Sequence, residues 1–480
     1  MTDAQDAHDP IHLAVIGGGL AGCAATSWAA SQGARVTLFN AGLPLGGSSI
    51  HTDQLPARIL MHAATATHRA RHPHLPGLGT TELPVDLAAL QSHRHDCGHD
   101  VQALLRQRLQ RHDGVHIVEA QATFVDDLTL RADGQLYHPD RVLLTPGSRS
   151  QWPDIDGLQD IDPWSLADLA SLQSIPDSLI FVETSHSALA YAQALCRLGT
   201  DVTILSHRDS LLGPRFDPDV DQALHDLLRH EGVAFLDRSQ VTHAERRQGA
   251  IRLLGTRDGQ PQRWDASHVV FINHRTPRIQ DLDLSRAHID TDDGFITIDE
   301  SLTTTNPHVV AAGDAVGRHH HPYAAAYDAI QAAHNAISAS RTAGQSTAIP
   351  FTIDTDPPVA GVGLHEARAR QLGFDAQIAA LSLDTLPAAQ AMGHSRGFIK
   401  LVRDARSHRL LGARLMMPGA HDLIMELVLA IRYGLTSQDL AALIHPPVSM
   451  AEGLSRAARQ FDDQHRPDST DFTSFSHAQH

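Results

Sequence analysis

The sequence predicts an α/β protein in which two doubly wound domains, each built on a parallel strand–helix–strand unit, precede a C-terminal α+β domain. Three observations predict it. Residues 13–16 form an apolar run that leads into a glycine-rich turn, a small-residue helical stretch over 23–30 and a second apolar run over 35–39. The same order returns at 178–182, 188–198 and 201–205. From Pro350 onward the texture changes, with strand-like stretches at 397–402 and 410–415 and helical patterns at 422–433 and 436–444. Short apolar strands joined by helical crossovers are the mark of parallel sheets.

At 480 residues the chain exceeds the size at which a single core keeps growing, so several packed units are expected. Asp and Glu outnumber Lys and Arg by 55 to 38, a formal net charge of −17. That balance repels phosphate backbones and anionic lipid heads, so neither nucleic acid nor a membrane is an expected partner. The acidic, polar N-terminus has no basic segment followed by an apolar core, and no apolar run reaches spanning length, so a cytoplasmic location is expected. Cys23, Cys97 and Cys196 are the only cysteines, without CxxC or CxxxxC spacing, so neither a disulfide framework nor a thiolate metal site is read. The 34 histidines read as scattered solvent-facing residues in preference to metal handling. His93 and Cys97, like His95 and His99, lie four apart on a helical pattern, but no third ligand is identifiable and no metal site is assigned.

Gly17-x-Gly19-x-x-Gly22 has the spacing of a dinucleotide turn: Gly17 for the tight bend, Gly19 for close approach of the backbone to a pyrophosphate, Gly22 for close helix packing. The phosphates would rest on free N–H groups at the helix N-terminus. The acid that usually closes the second strand and holds the adenosine ribose is Asn40 here, whose amide bonds a hydroxyl without charge.

With these residues in view, the segment Gly46-Gly47-Ser48-Ser49-Ile50-His51-Thr52-Asp53-Gln54-Leu55-Pro56-Ala57-Arg58 resembles the GGTCxxxxCxPSK segment of the class I pyridine nucleotide-disulfide oxidoreductases. Ala311-Ala312-Gly313-Asp314 resembles that family's second flavin motif. Thr355 to Ala360, Arg396 to Lys400, Ser407 to Leu410 and Met450 to Gly453 are similar to mercuric reductases in particular. The resemblance runs from about Leu13 to Phe461. It implies a glutathione reductase-like fold. The FAD-binding domain would be discontinuous over 1–155 and 276–348, followed by an NAD(P)-binding-like domain over 156–275 and a dimerisation domain over 349–463. Residues 464–480 read as a polar, disordered tail. The resemblance also implies a homodimer, FAD held by Gly46, Gly47, Ser48, Gly147, Gly313 and Asp314, with the Asp314 carboxylate on the ribityl chain, and NAD(P)H as a second nucleotide.

The departures are as informative. Ser49 and Gln54 stand where relatives carry the redox-active cysteines, and neither forms a thiolate, so dithiol exchange is excluded. The tail also lacks the cysteine pair with which mercuric reductases pass on the metal. Pro447 stands five residues before Glu452, where disulfide-reducing relatives place a proton-shuttling histidine. His445, two residues upstream, reads either as a group reaching the partner subunit's flavin or as a surface-loop residue. Arg58 replaces a lysine beside the flavin; it reads either as a charge near N5 or as a structural salt bridge.

In the second unit the turn reads Glu183-Thr184-Ser185-His186-Ser187-Ala188, so a carboxylate stands at the first glycine position. Ala190 replaces a glutamate that lies beside the nicotinamide in the family. Ser206-His207-Arg208 closes the second strand without an acid, which favours the 2′-phosphate of NADPH over NADH, with Ser185 and Ala188 at the helix start. His319-His320-His321 reads as a polar loop over the cofactor in preference to a redox metal site, because three consecutive side chains point in different directions.

The function these features imply is an FAD-dependent oxidoreductase that takes hydride from NAD(P)H and passes electrons from flavin directly to a small-molecule electron acceptor. The residues singled out for chemistry are Arg58, His445 and Glu452. The alternative is an FAD-binding paralogue without nicotinamide-driven turnover, acting in regulation or as a scaffold. Mercuric reductase-like metal reduction ranks third, because soft Hg(II) wants thiolates.

Overall fold

A computed structural model describes residues 9–213, 216–272, 274–318, 321–338, 340–343, 348–394 and 396–462. His319, His320 and the tail expected to be disordered lie outside the described residues. The chain divides into two compact units: Met1–Pro56, Gln91–Pro153 and Asn273–Ser346 form one, and Ala57–Leu90, Asp154–Ile272 and Thr347–His480 the other.

The first unit is organised by a five-stranded sheet in the order Val309–Ala311, Arg141–Leu144, His12–Ile16, Arg35–Phe39, Val115–Val118, every pair parallel. Its strands are apolar along their length because both faces are covered. Leu13, Val15, Leu38, Leu143 and Val310 pack with the helices Leu20–Ser31 and Pro322–Ile337. Alternate residues, among them Ala14, Ile16, Val142 and Leu144, pack on the other face with Phe124 and Leu130. Those two residues belong to a small antiparallel meander, Thr123–Phe124, Leu130–Ala132 and Gln135–Tyr137. Each large apolar side chain buried this way contributes about 1.5–3 kcal/mol relative to exposure.

The second unit repeats the plan with a four-stranded parallel sheet in the order Ala234–Leu236, Asp201–Leu205, Ser178–Val182, His268–Phe271. Leu179, Phe181, Val202 and Ile204 face a helical layer that includes His186–Arg197, while Ile180, Val182 and Leu205 face a three-stranded meander, Ser239–Arg247, Ala250–Arg257 and Gln260–Ala266. Both meanders escaped the sequence reading. Their strands are short or solvated on one face, as the five exposed residues of Gln260–Ala266 illustrate, so no long apolar run marks them.

The C-terminal part of this unit is a five-stranded antiparallel sheet, Phe351–Ile353, Val359–Gly363, Leu410–Met416, Phe398–Asp404, Ala376–Ser382, backed by Ala420–Arg432 and Glu452–Arg459. The helix expected over 436–444 is shorter, Ser437–Ala441. Thr436 and Asp439 form a capping box that starts it, whereas Pro446 disfavours helical geometry at His445 and the apolar Ile444 is left 98% exposed. Among the described residues no helix is long and apolar enough to cross a membrane.

Candidate functional site: a flavin cradle and an altered second nucleotide turn

In the first unit the chain leaves strand His12–Ile16 and bends at Gly17, whose φ is +116°. A Cβ there would lie 2.1 Å from the Thr145 carbonyl oxygen, so only glycine fits. At Gly22 a Cβ would lie 1.8 Å from the Gly17 carbonyl oxygen, which is the close helix approach the spacing predicts. Gly19 is different. It is the N-cap of Leu20–Ser31 without a side-chain capping bond, and a Cβ on it would meet nothing within 4 Å. An uncapped helix N-terminus opening onto free space is a site for an anion.

The loop Gly46-Gly47-Ser48 lies against this turn. The Gly46 N–H donates to the Gly18 carbonyl at 2.9 Å, and a Cβ on Gly47 would come within 3.0 Å of Gly19 Cα. Gly147 follows Thr145, which bonds back to Ile16. Asp314 opens the short turn Gly313–Val316 after strand Val309–Ala311. Its carboxylate accepts from the Ser148 hydroxyl, and Arg275 Nε lies 3.6 Å away.

At the far end, Asn40 does not work alone. Its Nδ2 donates to Glu119 Oε2 at 2.8 Å and to the Leu43 carbonyl at 3.2 Å, and the other Glu119 oxygen pairs with Arg106. These residues wall a cleft of about 430 Å³ lined by Asn40, Gly42, Leu43, Gln102, Glu119 and Ala120. Glu119 was missed in the sequence. The signal was available, since a lone acid ends the apolar strand Val115–Val118 that pairs directly with Arg35–Phe39. Asn40 and Glu119 together bring an amide and a carboxylate to the end of the second strand. The open Gly19, the uncapped helix and this acidic cleft fit FAD.

Ser49 is buried within Gly47–His51, and Gln54 is exposed at the start of Gln54–Arg71. Cys23 donates to the Gly18 carbonyl at 3.3 Å, and burial pushes its thiol pKa up to about 11. It is a packing residue.

In the second unit Ser185 caps His186–Arg197 by accepting from the Ala188 N–H at 3.1 Å. Glu183 takes the first-glycine position with φ +74°. Its carboxylate accepts from the His207 backbone N–H at 3.1 Å, from His207 Nδ1 at 2.7 Å and from the Ser206 hydroxyl at 3.3 Å. His207, expected to meet an anionic nucleotide, is thus bonded to an anion of the chain itself. Arg208 is exposed beside it, and Ala190 is buried.

The three residues singled out for chemistry occupy separate ion pairs. Arg58 Nη2 lies 2.7 Å from Asp354, which also receives His421 Nε2 at 2.5 Å. Burial raises the Asp354 pKa, but the bonds from His421 and Arg58 outweigh it and hold the carboxyl below its ordinary range. His445 Nε2 lies 3.2 Å from Glu426, and its Nδ1 is buried without a partner among the described residues. Glu452 accepts from Arg456 and from the N–H of Val448, a β-branched residue held at φ +56°.

Residues 11–340 match the family model for pyridine nucleotide-disulphide oxidoreductases, and residues 349–458 match the dimerisation domain of that family. The mercuric reductase of Streptomyces lividans is 32% identical over 463 residues, which covers 95% of this chain and 97% of that protein. Among solved structures, LpdA from Mycobacterium tuberculosis is similar with a TM-score of 0.86 at 22% identity, covering 94% of this chain and 99% of that one. The HOCl-induced flavoprotein disulfide reductase RclA from Escherichia coli is similar with a TM-score of 0.83 at 22% identity, covering 93% and 98%. These two likenesses show the fold. The chain belongs to the pyridine nucleotide-disulphide oxidoreductase family, whose members bind FAD and use NAD(P).

Proposed function

We propose that this chain is an FAD-dependent oxidoreductase that works without a dithiol relay, handing electrons from the flavin directly to a small acceptor. The observation that carries the reading is the pairing of the tight Gly17 and Gly22 turn, open at Gly19, with Ser49 and Gln54 at the positions of the family's thiols. Bound FAD supplies a carrier that takes up a hydride and gives up electrons. The residues of the chain do the rest. Gly17, Gly19 and Gly22 admit the pyrophosphate, Asn40 with Glu119 meets the adenosine ribose, and Asp314 takes the ribityl hydroxyls in place of Ser148. Gly46, Gly47, Ser48, Gly147 and Gly313 shape the walls.

The electron donor in this reading is a pyridine nucleotide held by the second domain at Ser185, Ala188, His207 and Arg208. His445, its Nε2 fixed by Glu426, is the proton-carrying candidate. Arg58 contributes charge shared with Asp354, and Glu452 is a positioning residue that holds the 448 loop. The active form is a homodimer.

A second reading, an FAD-binding paralogue without nicotinamide-driven turnover, draws support from Glu183, which occupies His207. Anaerobic mixing of the flavin-loaded protein with NADPH and then NADH tests the two. Rapid bleaching of the visible flavin band supports the reductase. A flavin that neither nucleotide reduces overturns it in favour of the second reading.

A further inference from the structure

In a doubly wound nucleotide domain the adenosine ribose lies at the carboxyl ends of the first two strands, and the residue closing the second strand selects the nucleotide: an acid binds a free 2′-hydroxyl, a cation accepts a 2′-phosphate. Here the second strand, Asp201–Leu205, is followed by Ser206-His207-Arg208 with no acid. The fold nevertheless delivers a carboxylate to that place from the neighbouring strand.

Glu183 follows Ser178–Val182, and its own N–H donates to the Leu205 carbonyl at 2.7 Å, so the turn keeps the path that a glycine would give it. With φ at +74°, in the sparsely populated left-handed region, its side chain reaches the end of the second strand. Oε1 there accepts both the backbone N–H and the ring Nδ1–H of His207, whereas Oε2, among the described residues, accepts only the Ser206 hydroxyl. A carboxylate oxygen has two lone-pair sites, so Oε2 keeps one to offer, and the side chain is 32% exposed.

The geometry points to Glu183 as the specificity-determining residue of the second nucleotide domain: it supplies from the first turn the ribose-binding carboxylate that the second strand lacks, so the ligand is an adenine nucleotide with a free 2′-hydroxyl. This rests on the reading that the domain takes a pyridine nucleotide, and it turns the preference from NADPH to NADH. A ribose hydroxyl donates to Oε2 without disturbing the existing bonds. A 2′-phosphate brings like charge against Glu183 and must displace it to gain the His207 donors. Arg208, exposed beside His207, meets such a phosphate without an opposing carboxylate only when Glu183 is replaced.

The test uses the full chain with FAD bound, so that the flavin site is filled, and measures binding of two fragments, 5′-AMP and 2′,5′-ADP, by calorimetry. No turnover is needed. Wild type is expected to bind 5′-AMP more tightly than 2′,5′-ADP by about tenfold, the scale of one hydrogen bond to a charged group. In Glu183→Gly, which suits the positive φ and keeps the turn, and in Glu183→Gln, which keeps the volume, the order reverses. Equal or tighter binding of 2′,5′-ADP by wild type, binding of neither fragment, or an unchanged ratio in both variants overturns the assignment.

The failure of the donor reading is distinguishable. If the fragment preference reverses as expected while neither NADH nor NADPH bleaches the flavin, Glu183 keeps its role and the donor reading fails. If NADPH bleaches the flavin in preference to NADH and 2′,5′-ADP binds tighter, the donor reading stands and the role of Glu183 falls.

Discussion

Asp217 and Lys400 meet at 2.9 Å with side-chain exposures of only 2% and 5%, and the second Asp217 oxygen takes Arg414 Nε at 2.8 Å. Asp219 completes the group at 2.7 Å from Lys400. Replacing Asp217 by Asn leaves the buried Arg414 without its carboxylate and Lys400 with Asp219 alone, and removal of one partner from a buried pair costs about 3–5 kcal/mol. Urea unfolding of Asp217→Asn should show that loss, and Lys400→Met a smaller one because Arg414 still neutralises the carboxylate.

The same group sets an acid limit. Burial raises the Asp217 pKa, but Arg414 and Lys400 outweigh it and hold the carboxyl below its ordinary value. Its folded pKa therefore lies below the unfolded value of about 3.9, so its contribution is fully present above that pH and is lost as pH falls through the folded value. Stability against pH should fall more steeply below about pH 4 in wild type than in Asp217→Asn.

Glu119 carries a prediction about cofactor affinity. Glu119→Ala deprives Asn40 of its carboxylate and should weaken FAD binding by about tenfold, read from flavin fluorescence on titration into apoprotein. Unchanged affinity would show that the cleft beside Asn40 does not hold the adenosine end.

The lost thiols leave a spectroscopic signature. Reduced wild type should lack a long-wavelength thiolate-to-flavin band, and iodoacetamide should leave flavin reoxidation unaffected, since Cys23 with a pKa of about 11 stays protonated. Ser49→Cys combined with Gln54→Cys should acquire such a band after reduction. A band in the wild type would contradict the absence of a relay.

Met425, Leu429 and Tyr433 recur every fourth residue and are 49%, 53% and 72% exposed, with Ile444 and Val448 exposed nearby in sequence. An apolar stripe at that spacing on a helix in the dimerisation domain is expected to be covered by a second copy. Sedimentation should give a dimer, and Leu429→Asp with Tyr433→Asp should give monomers that keep their first unit folded.

What could be read from the sequence followed physical range. Gly17, Gly22 and the parallel strands were legible because a local apolar run and a turn that excludes Cβ leave marks within a few residues. The fate of Glu183 was half legible: its charge at the turn was plain, its bond to His207 was not, because that depends on which strand ends lie side by side. Arg58 finding Asp354, 296 residues away, and Asn40 finding Glu119 depend on the folded sheet and leave no periodic trace.

The wall that forces glycine at position 17 also sets an order of events during synthesis. The Thr145 hydroxyl bonds the Gly17 carbonyl across 128 residues of chain, and Asp314 emerges later still. The glycine turn leaves the ribosome long before its wall and the Asp314 carboxylate exist. A nascent chain halted before residue 314 should therefore stay colourless in the presence of FAD, with cofactor capture falling in the last third of translation, once the first unit's final segment has been made.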